Sequence, residues 1–207
     1  RLASIELEDG VEELGYGAFQ GCESLAEIDL PNSIRSIGEE AFDDCSMLRT
    51  IHLGNNVASI GEQAFGDCIS LTRITLPGSL TSIERYAFEG CSLAEIYALG
   101  AVPPTIDAET FDAIHYINTR LYVPRNSAGT YRSTPYWQNF QHMEETEFTG
   151  LEATEVNPGV SVSIEDGHIR IDGRTDSDVA IEVYDANGRL VYQGCDRTIE
   201  IPEGGVY

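Results

Sequence analysis

The chain has 207 residues, with 12 arginines and no lysine against 35 aspartates and glutamates, giving a formal charge of −23 and a pI near 4.2. At 42% hydrophobic residues it can bury a core, but a chain this acidic repels phosphate backbones and anionic lipid surfaces, which argues against nucleic acid as a partner. Without lysine there is no Schiff-base, pyridoxal-phosphate or P-loop chemistry, and no apolar run approaches the roughly 18 residues of a membrane span, so direct membrane insertion is not expected.

The chain opens inside a patterned segment, Arg1-Leu2-Ala3-Ser4-Ile5, with no charged and apolar leader before it, and reads as a fragment or a mature form. A unit of 23 residues then recurs. Cys22, Cys45, Cys68 and Cys91 are each 23 residues apart, and the units Leu2–Cys22, Leu25–Cys45, Leu48–Cys68 and Leu71–Cys91 align without gaps. Apolar residues hold the same eight positions in all four; in the second these are Leu25, Ile28, Leu30, Ile34, Ile37, Ala41, Phe42 and Cys45. That is the signature of a solenoid, in which one coil cannot cover its own apolar face and stacking makes the core continuous.

Within a unit, Ile28 and Leu30 sit two apart, so both point inward from a short strand while Glu27 and Asp29 point out. Pro31, Gly54 and Pro77 end that strand. A second inward pair follows at Ile34 and Ile37. Gly15, Gly38 and Gly61 permit the next corner, and Glu84 at the same place in the fourth unit implies that the corner needs no positive φ. The Ala-Phe pair and the cysteine are expected in a short helical return.

The pattern L-x-x-I-x-L-P-x-x-[ILV]-x-x-[IL]-G-x-x-A-F-x-x-C resembles the BspA-like leucine-rich repeats of bacterial surface proteins over residues 2–114. A fifth, irregular unit runs from Leu93 through Ile96, Val102 and Ile106 to Phe111, with an inserted Val102-Pro103-Pro104. Thr119–Pro124, followed by Tyr131, Tyr136, Trp137 and Phe140, is similar to the closing strand and capping helix of such arrays, whose aromatics cover the last open coil.

After Met143 the composition shifts. Glu144–Gly150 is polar, and short alternating segments follow at Val160–Ile164, His168–Ile171, Val179–Tyr184, Arg189–Tyr192 and Thr198–Pro202, with a hairpin signal at Asp185-Ala186-Asn187-Gly188. These predict a small antiparallel β-sandwich. The segments VYDANGRLVYQG and TIEIPEGGVY resemble the C-terminal sorting domain of type IX (Por) secretion, whose final strand would follow Tyr207. A sorting domain and an Ig-like module without sorting function both remain open. The expected architecture is therefore mixed and β-rich: residues 1–147 form a leucine-rich repeat solenoid with its cap, and residues 148–207 an Ig-like sandwich.

The cysteine spacing fits no zinc template, and the expectation is a ladder of small buried thiols, with Cys195 a lone thiol outside it. His52, His115, His142 and His168 are scattered, and no GxSxG elbow or HExxH helix is present. Glu39-Glu40 and Asp43-Asp44 read as a solvated surface, and Asp166, Asp172, Asp176 and Asp178 lack a calcium-loop pattern. No enzyme, cofactor or metal site is expected.

The outward strand positions carry the functional expectation. One row reads Ser4, Glu27, Thr50, Arg73, Glu95 and its neighbour Glu6, Asp29, His52, Thr75, Tyr97, on strands about 5 Å apart. Such a face is what repeat proteins use for binding. The resemblance implies a secreted or surface-attached bacterial protein, non-enzymatic and monomeric, that adheres to host proteins, other cells or glycans. A structural spacer or accessory module is the rival reading, and a hydrolase a weaker third.

Overall fold

The structure is a computed structural model that describes residues 2–146 and 148, together with the backbone of strands at 160–165, 168–173, 181–184, 190–194 and 198–200. Two compact units divide the chain, Arg1–Glu147 and Phe148–Tyr207.

In the first unit the second, third and fourth coils each contribute two short strands, and the first and the irregular fifth contribute one each. In chain order these are β1 (Glu13–Leu14), β2 (Glu27–Asp29), β3 (Ser36–Ile37), β4 (Thr50–His52), β5 (Ser59–Ile60), β6 (Arg73–Leu76), β7 (Ser82–Ile83) and β8 (Glu95–Ala98). Helix α1 (Ala113–Asn118), β9 (Arg120–Pro124), α2 (Ala128–Ser133) and β10 (His142–Thr146) complete it. All pairings in this unit are parallel. One sheet runs β1-β3-β5-β7; β2 pairs with β4; and β6, β8, β9 and β10 follow in that order, with β6 beside β4. The 23-residue period sets the register directly. Ile28 faces Ile51, Ile74 faces Ile96 and then Leu121, and Leu14, Ile37, Ile60 and Ile83 form the opposite ladder.

The return between the two walls is not helical, contrary to the sequence expectation. It is a series of turns whose hydrogen bonds run between coils: the N–H groups of Phe19, Phe42 and Phe65 donate to the carbonyls of Ala41, Ala64 and Ala87 at 2.7, 2.8 and 2.9 Å. Two positions per coil take a left-handed backbone: Gly17, Glu40, Gln63 and Tyr86 at φ 52–58°, and Gly21, Asp44, Asp67 and Gly90 at φ 50–71°. A helix cannot hold such residues, and ladder bonds between successive coils of the same chain replace its i to i−4 bonds. Gly38 and Gly61 are not left-handed. A Cβ on Gly38 would lie 2.6 Å from the Leu14 carbonyl oxygen, and one on Gly61 2.6 Å from the Glu39 nitrogen, so glycine serves close approach of successive coils.

The core is built of stacked like residues. The rings of Phe19, Phe42, Phe65, Phe88 and Phe111 lie 5.1–5.4 Å apart and within 15° of parallel. Beside them, Cys45, Cys68 and Cys91 are buried free thiols whose Sγ atoms donate to the carbonyls of Phe19, Phe42 and Phe65 at 3.1–3.2 Å. Burial pushes Cys45 and Cys91 up to about 12 and Cys68 upward as well, so the ladder is chemically quiet, while Cys22 is half-buried. Phe111 ends the stack, and Trp137 and Phe140 meet its ring at 66° and 78°. Trp137 Nε1–H donates to the Pro104 carbonyl at 2.7 Å and the Tyr131 hydroxyl to that of Gly100 at 2.8 Å. The irregular fifth coil differs from expectation in one respect: Val102 is exposed while Pro103 and Pro104 are buried, because the insertion shifts the prolines onto the inner side.

Strand β10 is a second correction. Its residues look like the polar start of the tail, yet they pair in parallel with β9 through Met143↔Leu121 and Thr146↔Pro124. Only Met143 turns fully inward, so the alternation is hidden among carboxylates.

In the second unit β11 (Val160–Glu165) pairs antiparallel with β12 (His168–Gly173), β15 (Thr198–Glu200) joins β12, and β13 (Ile181–Tyr184) pairs antiparallel with β14 (Leu190–Gly194). The side chains that would pack these ladders face to face lie outside the described residues, as do Cys195, Asp166, Asp176 and Asp178 and the side chain of Asp172 on β12. Among the described residues no helix is long and apolar enough to cross a membrane.

Candidate functional site

The outward rows of the sheet are largely as read from the sequence, with one subtraction and one extension. Residues 2–12 form no strand, so Ser4 and Glu6 do not head the rows, although Ile5 and Leu7 still pack on the core. From there the register is regular: Glu27↔Thr50 and Asp29↔His52, then Arg73↔Glu95↔Arg120 and Thr75↔Tyr97↔Tyr122. Strand β10 adds His142 beside Arg120 and Glu144 beside Tyr122. Arg120, Tyr122, His142 and Glu144 were thus missed as members of the face. The alternation in Thr119–Pro124 was signal enough for the first two; the carboxylate run concealed the others.

The two halves of the face differ. Toward the N-terminus, exposed Glu27 and Asp29 meet Thr50 and His52, and His52 Nδ1 is linked to the Asp29 carboxylate. Toward the C-terminus the side chains lock together. Arg73 places Nη2 2.6 Å and Nε 2.8 Å from the same Glu95 oxygen, and its guanidinium lies 5.5 Å from the Tyr97 ring centre. The Tyr97 hydroxyl also donates to Glu95 at 3.3 Å. Tyr97 and Tyr122 stack at 4.7 Å and 15°, and Arg120, two residues before Tyr122 on the same strand, shares its face. Burial, and then the Glu95 carboxylate, push the Tyr97 phenol above its ordinary range against the pull of Arg73, so it remains a neutral donor.

On the turn side of the second coil, Glu39, Glu40, Asp43 and Asp44 lie close together in the chain. Gln20 Nε2 donates to Glu40 at 2.7 Å and Asp43 at 3.1 Å, and Tyr16 donates to Glu40 at 2.8 Å. Partial burial raises Asp43, with Asp44, Glu40 and Asp67 adding to it and Gln20 opposing. Among the described residues no three His, Cys, Asp or Glu side chains converge as a metal would require.

A stack of parallel coils with an inward apolar ladder and an outward polar sheet face defines a leucine-rich repeat solenoid. The model of the BspA type leucine-rich repeat region matches residues 1–118 in six copies. The chain belongs to that family.

Among solved structures, the Treponema pallidum leucine-rich repeat protein is 34% identical over 56% of this chain and 54% of its own, with a TM-score of 0.49. A leucine-rich cell surface protein of Faecalibacterium prausnitzii is 24% identical over 70% of this chain and 32% of its own, with a TM-score of 0.47. A leucine-rich repeat protein of Bacteroides capillosus is 31% identical over 47% of this chain and 72% of its own, TM-score 0.40. The chain therefore spans about half the length of the first and a third of the second. Among curated proteins none matches.

Proposed function

We propose that this chain is a non-enzymatic recognition module of a bacterial surface or secreted protein, and that it binds a protein or glycan through the outward sheet face. The observation that supports the reading is the locked cluster of Arg73, Glu95, Tyr97 and Tyr122, with Arg120 on the same face. Tyrosine and arginine dominate interface hot spots, and side chains already held in place lose little entropy when a partner arrives. Glu27, Asp29, Thr50, His52 and Thr75 form the polar surround of the same face, which the partner meets at lower cost to affinity. Family membership supports the bacterial surface location. The tail strands are in keeping with a small sandwich, either a sorting domain or an Ig-like module.

The test is saturable binding of the whole chain to a panel of matrix proteins and glycans. Beside it stand two variants, one altered at Glu27, Asp29, His52 and Arg73 and one carrying Tyr97→Ala with Tyr122→Ala. Binding by the parent that weakens at least about tenfold in the tyrosine variant supports the reading. Equal binding by all three removes the sheet face from it, and no binding by any favours the spacer.

A further inference from the structure

We propose that His115 is an acid-sensitive latch on the cap: neutral, it closes the last coil, and its protonation releases α1 and the aromatic residues packed on it. The argument begins with a tautomer. His115 Nε2 lies 3.0 Å from the Cys91 carbonyl oxygen, which can only accept, so Nε2 carries the proton and donates. Nδ1 is then a bare lone pair. It is buried and, among the described residues, has no hydrogen-bond partner, in a side chain only 3% exposed. The ring stands edge-on to Phe111, the last member of the phenylalanine stack, at 6.3 Å and 89°.

A second proton on this ring would place a charge and an unbonded N–H in an apolar pocket, the costliest outcome for a buried polar group. The surrounding groups do little to offset it. On its own segment, Asp112 favours the cation but already accepts from the Gly90 N–H at 3.0 Å, and the buried Tyr116 hydroxyl is neutral, pushed up to about 12. The last coil presents Cys91, a neutral thiol. Strand β10, which packs on α1, turns Met143 inward and leaves His142, Glu144 and Glu145 exposed. Burial therefore prevails over the Cys91 carbonyl, whose hydrogen bond favours the charged ring, and over the weaker pull of Asp112, and holds His115 below the ordinary histidine value of about 6.5. The released cap accepts a proton at that ordinary value and the docked cap does not, so the docked state binds fewer protons. Its stability is complete above about pH 6.5 and drains as pH falls below it.

Trp137 is the only tryptophan of the chain, fully buried against Phe111 and Tyr131, and so reports cap docking in the intact protein. Between about pH 7.5 and about pH 5 its emission should shift to the red, with the change centred below about 6.5. His115→Gln keeps an amide donor for the Cys91 carbonyl but cannot titrate, and should lose the shift; His142→Gln should retain it. A flat Trp137 signal in the parent, or the same shift in His115→Gln, overturns the proposal. Should His115→Gln fail to fold, the His115 ring resonance of the parent decides. Titration well below the ordinary value together with the Trp137 change sustains the latch, and titration at the ordinary value with Trp137 unmoved overturns it.

Discussion

The regular coils and the cap solve the same packing problem by opposite means. In the coils each core residue meets its own counterpart one coil away: phenylalanine on phenylalanine, isoleucine on isoleucine, a thiol on the preceding carbonyl. In the cap every contact is made once. Trp137 reaches Pro104, Tyr131 reaches Gly100, and Thr119 reaches Leu93 at 2.6 Å. Repetition satisfies each polar group by translating one solution along the stack. The cap has no such template, and there two buried polar atoms, His115 Nδ1 and the Tyr116 hydroxyl, are left unpartnered among the described residues. The place where the period stops is also where a titratable group can act on packing.

Removing one ring from the stack should have the largest effect. Phe42 is fully buried between Phe19 and Phe65, and Phe42→Ala should cost about 3–5 kcal/mol, whereas Phe19→Ala, whose ring stacks on Phe42 alone among the described rings, should cost less. Urea melts that find under about 1 kcal/mol for Phe42→Ala would refute translational packing as the source of coil stability. The thiols give the next contrast. With Cys45 and Cys91 pushed up to about 12, their thiolate populations near neutral pH should be roughly a thousandfold below an ordinary cysteine's. In native protein an alkylating reagent should therefore modify half-buried Cys22 and spare Cys45, Cys68 and Cys91; equal modification would show that the coils open as readily as they expose an edge. Third, Gly61→Ala sets a methyl 2.6 Å from the Glu39 nitrogen and 2.7 Å from the Gly38 carbonyl carbon, neither of which can turn aside. Pushing two coils apart should cost about 1–3 kcal/mol, measured by the same melts.

How far the sequence discloses this arrangement follows the same division. Where residues repeat, eight apolar positions in register were enough to place both walls, the ring stack and the thiol ladder. They also placed Glu27, Asp29, Thr50, His52, Arg73, Thr75, Glu95 and Tyr97 on one face. Repetition did not disclose the conformation of the return, because an Ala-Phe pair spaced for a helix turn is equally suited to a ladder of turns bonded between coils. Nor could it find β10, whose single inward residue, Met143, carries no period. The cluster around Tyr122 depends on pairing β8 with β9 across an intervening helix, a relation of spacing that no repeat unit contains.

The left-handed positions give the smallest effect and the sharpest test of what repetition tolerates. Gly17, Glu40, Gln63 and Tyr86 occupy one site in successive coils, all with φ between 52 and 58°. A side chain there costs about 1–2 kcal/mol relative to glycine, which itself loses about 0.5–1 kcal/mol of chain entropy on folding. Two of the three non-glycine residues have compensation: Glu40 accepts from Tyr16 and Gln20, and the Tyr86 ring lies 5.0 Å beneath the Arg85 guanidinium. Gln63 makes no side-chain hydrogen bond among the described residues. Gln63→Gly should therefore stabilise the solenoid, by about 0.5–1 kcal/mol, while Glu40→Gly should gain less or nothing because it forfeits two hydrogen bonds. Equal gains at both sites would mean that the bonds to Glu40 contribute nothing to the native state. A loss at Gln63 would mean that the turn ladder, and not the side chain, already holds this backbone without strain.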